Sequence, residues 1–236
     1  MKILGLDASG PVCSVALMED GAVLASAMQN AGLTHSQTLM PMVEAVLAAA
    51  DCAPCQLDLI GCVAGPGSFT GVRIGVCTAK ALAHAHNVPC AQLNALEVLA
   101  AGAFGFEGTI CPILDARRGQ VYCAAFEQKA GQAPRRIMED GAMPLESFME
   151  LLPTEGLLMF VGDGVKLHGG AIGQRFPRRG LIAPAHRSQI SAEVACALAQ
   201  HGGSAADYNT LVPIYLRQSQ AERERLAKEG GSVADA

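Results

Sequence analysis

Residues 2–9, KILGLDAS, close an apolar run on Leu6-Asp7-Ala8, and about 108 residues later the pattern returns as Leu114-Asp115-Ala116. A turn follows each copy, and then an apolar return strand in which Val12 with Ala16 is matched by Val121 with Ala125. An apolar strand ending in Leu-Asp-Ala, a turn and a return strand, met twice in one chain, predict an α/β fold with a duplicated lobe.

Outward from the first copy, residues 12–20 (VCSVALMED) follow the turn at Gly10-Pro11, and residues 22–30 (AVLASAMQN) follow the turn at Asp20-Gly21, so the chain should open with a β-meander. Residues 35–50 place Leu39, Val43, Val46, Leu47 and Ala50 on one helical stripe, with Pro41 early enough to be tolerated. Residues 57–65 (LDLIGCVAG) read as a buried strand. The spacing then predicts a helix over 72–86, with Val72, Val76, Ala79 and Ala83 on one face and Ile74, Cys77, Ala81 and Ala85 on the other. A helix apolar nearly all round must be covered on both sides, by its own sheet and by either another chain or another layer of the same fold. Further on, residues 157–162 (LLMFVG) predict a strand, Ser191 caps a helix reaching Gln200, and residues 212–217 (VPIYLR) predict a last short strand. The expected division is a first lobe over 1–103, a second over 104–216, and a charged, disordered tail over 217–236, where AERERLAKEGG (221–231) crowds its charges together.

Half of the residues are apolar and 17% are charged, which excludes a disordered chain, while 4% aromatics and no Trp call for a core of Ala, Val, Leu and Met. Lys2 leads into a short strand instead of a leader's apolar core, and no apolar run approaches the ~20 residues of a membrane span, so a cytoplasmic location with no membrane contact is expected. The nine cysteines are scattered, odd in number and mostly set in apolar segments, so they read as reduced thiols. Cys52 and Cys55 form a C-x-x-C with no second pair or nearby His to complete a zinc site, and read as loop cysteines. The net charge of −5 disfavours a nucleic acid held by bulk electrostatics. Residues 1–100 carry three Lys/Arg against seven Asp/Glu, whereas residues 101–187 carry ten against nine. An RNA contact through Arg117, Arg118, Arg135 or Arg136 would therefore belong to the second part, against the plainer reading of a solvated mixed surface.

Between the strand at 57–65 and the helix at 72–86 lies a glycine-rich turn, GPGSFTGVRIG over 65–75. Strand, glycine-rich turn, helix is the layout in which backbone amides hold a phosphate. The run matches neither G-x-x-x-x-G-K-[ST] nor G-x-G-x-x-G. The structural alternative is a tight turn capped by Ser68 or Thr70, with Gly71 and Gly75 letting the helix pack closely. Arg73 is a cation in the expected first helical turn, which opposes the macrodipole and calls for a compensating carboxylate or anionic ligand from outside.

Four stretches together carry a resemblance: residues 65–75, DARRGQVY (115–122), THSQTLMP (34–41) and PIYLR (213–217). They are similar to the TsaB family, threonylcarbamoyladenosine biosynthesis protein B, over residues 1 to about 216. The resemblance implies a two-lobed actin-like ATPase (ribonuclease H-like) fold, in agreement with the internal repeat. It implies a non-catalytic subunit needed for threonylcarbamoyladenosine at position 37 of tRNAs that read codons beginning with adenine. Its partners would be a TsaD-like threonylcarbamoyl transferase subunit and a small TsaE-like P-loop ATPase, with tRNA met indirectly through the complex. The transferase relative carries a metal-binding pair of histidines four residues apart. With Asn87-Val88-Pro89 setting the register, those histidines fall on Ala95 and Leu99, which bind no metal, with Glu97 between them. The transferase's Ser-Gly-Gly-His-Thr hairpin is replaced by Asp115-Ala116-Arg117-Arg118-Gly119, and Pro11 removes an amide from the first-lobe hairpin. No catalytic residue, metal or cofactor is therefore expected.

On that reading the partner binds through the first-lobe helices, at Leu39, Val43, Val72, Arg73, Val76 and Ala79, and the same apolar faces would allow a homodimer of the isolated chain. Asp7, Gly67, Ser68 and Asp115 would mark a vestigial nucleotide site. The rival reading is an ATP-dependent kinase or other phosphotransferase of the actin-like fold, with Asp7 and Asp115 as magnesium carboxylates. A peptidase built on Ser68 with His35, His84 or His86 lacks both G-x-S-x-G and H-E-x-x-H.

Overall fold

The computed structural model describes residues 1–202 and 204–217. The meander forms as read: β1 (Lys2–Asp7), β2 (Cys13–Glu19) and β3 (Ala22–Gln29) pair antiparallel in sequence. Helix α1 (His35–Ala49) follows and runs on through Pro41, whose ring sits on the exposed side. Strand β4 (Leu59–Val63) then pairs parallel with β1. Helix α2 (Phe69–His86) ends on Asn87 in the left-handed region, and β5 (Cys90–Leu93) joins β4 in parallel. Helix α3 (Ala95–Gly102) leads out, its first amides held by the Asn94 side chain.

The second lobe repeats this plan. Strands β6 (Gly108–Asp115), β7 (Gln120–Gln128) and β8 (Arg135–Pro144) form the meander. Then come α4 (Leu145–Leu151), β9 (Leu158–Val161), α5 (Val165–Arg175) and β10 (Gly180–Ile182). The sheets are ordered β11 (Ser204–Ala206), β5, β4, β1, β2, β3 and β10-β9-β6-β7-β8, so the order 3-2-1-4-5 and the same mixture of parallel and antiparallel pairs occur twice. This is the two-lobed actin-like ATPase fold. Asp7 and Asp115 end the first strand of each copy.

The last part of the chain departs from the expected division at 104–216. Helix α6 (Ala192–Gly202) packs on β1, β2, β4 and β5, and β11 (Ser204–Ala206) pairs antiparallel with β5, so both belong to the first sheet. The cause is legible at Gly5, where a Cβ would collide with the Ala192 carbonyl oxygen, and at Cys196, whose Sγ lies 3.5 Å from the carbonyl oxygens of Ile3 and Ala16. Residues 212–217 are not a strand; they run as an irregular segment in which the Ile214 amide donates to the Ala64 carbonyl at 2.7 Å. Most of the tail expected over 217–236 lies outside the described residues.

Three buried clusters result. One fills the space between α1, α2 and the outer face of the first sheet, with Leu4, Leu6, Val15 and Leu17 meeting Leu39, Val43, Val72 and Val76. A second, centred on Leu96, Leu99, Ala195 and Cys196, lies between the sheets and takes Ile3 and Val63 from one and Ile110, Leu114 and Phe126 from the other. The third closes the outer side of the second lobe around Phe148 and Phe160. Strand β1 is apolar on both faces because both are covered, as a central strand demands.

Candidate functional site

The glycine-rich turn sits at the carboxyl end of β4, and two of its amides are engaged within the chain. The Ser68 amide donates to the Ser9 carbonyl at 2.7 Å, and the Gly71 amide donates to Ser68 Oγ at 3.3 Å. Ser68 is thus the N-cap of α2, which begins at Phe69, three residues before the start the sequence pattern suggests. A Cβ at Gly67 would collide with the Ser9 carbonyl oxygen, and one at Gly71 with that of Ala8. The glycines therefore let α2 dock onto the β1–β2 hairpin. Gly75 has only ordinary contact with Ala8 at 3.6 Å, so close packing does not require a glycine there.

Asp7 is 1% exposed at the floor of a shallow cleft that Asp163, Pro11, Leu114 and Ser188 also line. Its Oδ1 accepts from the amide (2.9 Å) and hydroxyl (2.6 Å) of Ser9, while Oδ2 has no partner among the described residues. Burial pushes its carboxyl up to about 6, against the hydrogen bonds from Ser9. Burial also raises Asp163, whose Oδ1 accepts from the Asp115 amide at 2.9 Å. Asp163 is the cleft residue that motif reading passed over; its place in the turn after β9, equivalent to the glycine-rich turn after β4, was the available signal. Asp115 itself is turned onto its own hairpin, where Oδ1 accepts from the Arg117 amide at 2.7 Å. Arg117, Arg118 and Gly119 follow with φ of 64°, 56° and 71°, so two bulky side chains stand where an open phosphate hairpin needs bare backbone.

These residues do not fit a nucleotide. The first-lobe turn commits the Ser68 and Gly71 amides to Ser9 and Ser68, the second-lobe hairpin carries Arg117 and Arg118, and the polar lining of the cleft includes two carboxylates. Of the four residues grouped as a vestigial site, Gly67 and Ser68 meet Asp7 through Ser9, and Asp115 meets the cleft through Asp163. The peptidase set is not assembled either: Ser68 Oγ accepts from Gly71, His35 Nε2 lies 2.8 Å from the Gly10 carbonyl oxygen, and the His84 ring lies 4.6 Å from that of Tyr208.

The residues expected to bind a partner need correction. Leu39, Val43, Val72, Val76 and Ala79 are 0–3% exposed and form the core between the helices and the sheet, so they cannot meet another chain. They are the inward stripes of α1 and α2. The outward stripes are Met40, Glu44 and Ala48 on α1, and Cys77, Ala81 and Ala85 on α2, all exposed. One flank of α2 is covered by the chain's own end: Leu211 is fully buried, Lys80 Nζ donates to the Leu211 carbonyl at 3.3 Å, and the His84 ring meets Tyr208. Arg73 is exposed, in the second turn, and compensated from within. Its guanidinium lies 3.9 Å from the centre of the Phe69 ring, Phe69 stacks on Tyr215 at 4.7 Å, and Nε donates to the Tyr215 hydroxyl at 2.8 Å.

Ala95 and Leu99 are buried on α3. Glu97 faces the second lobe, where Arg136 of β8 pairs with it at 2.8 Å and also with Asp140, while Asn94 donates to Asp140. Of the four arginines considered for RNA, Arg136 is thus held by two carboxylates, Arg117 pairs with Asp115 and Arg135 with Glu127; Arg118 is exposed. All nine cysteines are free thiols, with Cys52 buried and Cys55 exposed. Among the described residues no group of three His, Cys, Asp or Glu is placed to hold a metal, and no helix is long and apolar enough to cross a membrane.

The chain is similar to known proteins over most of its length. A family model described as "TsaD: tRNA N6-adenosine threonylcarbamoyltransferase" matches residues 29–229. The tRNA threonylcarbamoyladenosine biosynthesis protein TsaB of Bacillus subtilis is 36% identical over 223 residues, 94% of this chain and 96% of that protein. The TsaB of Escherichia coli is 35% identical over 130 residues, 54% of this chain and 56% of its own. Among solved structures, YeaZ from Pseudomonas aeruginosa matches with a TM-score of 0.77 and 28% identity, over 91% of this chain and 99% of that one. With the repeated lobe topology and the filled phosphate positions already described, these matches establish that the chain belongs to the TsaB family of tRNA threonylcarbamoyladenosine biosynthesis proteins, within the wider group that the transferase model describes.

Proposed function

We propose that this chain is a non-catalytic subunit for threonylcarbamoyladenosine formation, acting at position 37 of tRNAs that read codons beginning with adenine. It binds and activates a TsaD-like threonylcarbamoyl transferase in the cytoplasm, and a TsaE-like P-loop ATPase docks on the pair. The observation that carries this reading is the way this chain fills the parts its catalytic relative would use. Ala95 and Leu99 lie buried in the register of the histidine pair, and Glu97 is spent on Arg136. The glycine-rich turn closes on Ser9. The partner surface is the outward side of α1 and α2, with Met40, Glu44 and Ala48 beside Cys77, Ala81 and Ala85 and with Arg73 at one end; the same small-residue surface serves a homodimer when the partner is absent. Depletion of the chain should lower threonylcarbamoyladenosine in total tRNA, and re-expression should restore it. Unchanged nucleoside levels would overturn the assignment. The kinase reading predicts tight ATP binding by the isolated chain that is lost on Asp7→Ala; the acidic cleft and the Arg117–Arg118 hairpin argue against it.

A further inference from the structure

Residues 207–217 form a strap along one flank of α2, and contacts at its two ends and its middle fix its course. The Tyr208 ring lies 4.6 Å from that of His84, Lys80 Nζ donates to the carbonyls of Asn209 (3.5 Å) and Leu211 (3.3 Å), and the Tyr215 hydroxyl accepts from Arg73 Nε at 2.8 Å. The strap therefore runs antiparallel to the helix. Leu211 is fully buried beneath it, the Val212 amide donates to Gln92 Oε1 at 3.2 Å, and the Ile214 amide donates to the Ala64 carbonyl at 2.7 Å. At about 100° per residue, Arg73, Lys80 and His84 follow one line along α2, with Cys77 and Ala81 beside it on the side away from the buried Val72, Val76 and Ala79. Gly71 lies about 200° round the helix from Arg73, and a Cβ there would stand 3.3 Å from His35 of α1. The outward stripe of α2 is thus framed, by α1 on one side and by the strap on the other. Val212 and Tyr215 are the large exposed side chains of that second border, at 51% and 42%.

The end of the strap holds Arg73 in one orientation. Its guanidinium carbon lies 3.9 Å from the centre of the Phe69 ring and 5.9 Å from that of Tyr215, and the two rings stack at 4.7 Å. Of the five N–H donors of an arginine, Nε–H is given to the Tyr215 hydroxyl, and those on the two terminal nitrogens have no partner among the described residues. The rings steady the cation and bring no formal negative charge. Asp207, the carboxylate of the strap, accepts from the amides of Asn209 and Thr210. A guanidinium fork fixed in advance loses little freedom on binding, and it takes a carboxylate through two parallel hydrogen bonds. Arginine and tyrosine bordering a closely packed surface are the residue types that dominate binding energy between proteins. The stripe beside them, Cys77, Ala81 and Ala85, is small and uncharged, and Lys80 is committed to the strap's carbonyls. That surface suits a packed protein helix with one acid near Arg73, whereas a polyanion draws on several free cations together.

We infer that the strap is a third element of the partner surface, and that Arg73, held by Phe69 and Tyr215, receives there a carboxylate side chain of the transferase subunit. The identity of that partner rests on the proposed function; the strap and the chemistry of the group the partner presents go beyond it. Arg73 touches the partner, and Tyr215 is a positioning residue whose hydroxyl and ring aim the fork.

The test measures the affinity of the purified full chain for its transferase subunit. Arg73→Gln and Tyr215→Ala should each weaken pairing about ten-fold or more, with the melting temperature of Arg73→Gln nearly unchanged. Arg73→Lys keeps the charge but loses the fork, and should not restore affinity. Tyr215→Phe keeps the stacked ring, so it holds the test open if Tyr215→Ala misfolds; it should weaken pairing about three-fold in the unaltered chain and have no further effect in Arg73→Gln. Full affinity of folded Arg73→Gln would overturn the inference. So would an equal loss from Tyr215→Phe in both backgrounds, which would separate Tyr215 from Arg73, or unchanged pairing with weaker binding of a tRNA transcript by the complex, which would assign Arg73 to phosphate. Failure of the functional reading looks different: the unaltered chain would not bind the transferase, and its depletion would leave threonylcarbamoyladenosine at normal levels.

Discussion

Gly71 and Asp7 show how single positions decide what the glycine-rich turn can do. A Cβ at Gly71 would meet a backbone carbonyl, which cannot swing aside as a flexible side chain would. Gly71→Ala should destabilise the fold by more than about 2 kcal/mol in chemical denaturation, whereas Gly75→Ala, with an ordinary contact and a better helix former, should be neutral or stabilising. Asp7 has a folded pKa of about 6 against an unfolded value near 3.8, so between those values the native state holds the extra proton. Its contribution to stability is thus full below about pH 4 and is lost as the pH rises through about 6. Asp7→Asn should flatten that part of the stability profile and, at pH 7, recover on the order of 2–3 kcal/mol. A profile that stays as steep would mean that another group sets it. At this scale the sequence was half legible. It showed that glycine was needed in the turn, but which atoms would crowd Gly67 and Gly71 depended on Ser9 and Ala8, some sixty residues away.

Among the elements, α2 carries the heaviest correction. Its two faces were read from periodicity, and the structure preserves them, but a period cannot say which face is inward when both are apolar. Val72, Val76 and Ala79 took the sheet, and Cys77, Ala81 and Ala85 were left outside. Ala81→Glu should therefore leave the melting temperature nearly unchanged and abolish co-purification with the transferase; undiminished recovery would remove α2 from the interface. By contrast Val72→Glu places a charge in the core and should unfold the lobe, which makes it unusable as an interface probe. The meander, α1, β4 and β9 were legible because each repeats a clear period. Residues 212–217 were not, because their β-rich composition is used for isolated contacts: Ile214 to Ala64, Tyr215 to Phe69 and Arg73, and Arg217 to the Ala116 carbonyl.

For the whole molecule, the repeat of Leu-Asp-Ala was enough to announce two lobes but not where the chain would finish. What joins the lobes is the layer between them, α3 and α6, together with the Glu97–Arg136–Asp140 cluster. Arg136 is 20% and Asp140 14% exposed, so removing the guanidinium leaves Asp140 largely desolvated and without its counter-ion, with Asn94 still donating to it. Arg136→Ala should cost about 1–3 kcal/mol and, since Arg136 also lies over the Phe126 ring, should increase hydrogen exchange along β8 and α3 before elsewhere. Uniform exchange across both lobes would show that the cluster does not act as a tie.

The return of α6 to β1 has a consequence for how the chain comes into being. The inner face of the first sheet, with Ile3 and Ala16, stays bare until residues near Cys196 are available to cover it, and the edge at β5 waits for residues 204–206. A ribosome makes the first strands long before it makes α6. The amino-terminal half must therefore hold an uncovered apolar sheet through most of its own synthesis, and a nascent chain arrested between the two lobes should be a strong client for chaperones, while one released after residue 217 should not.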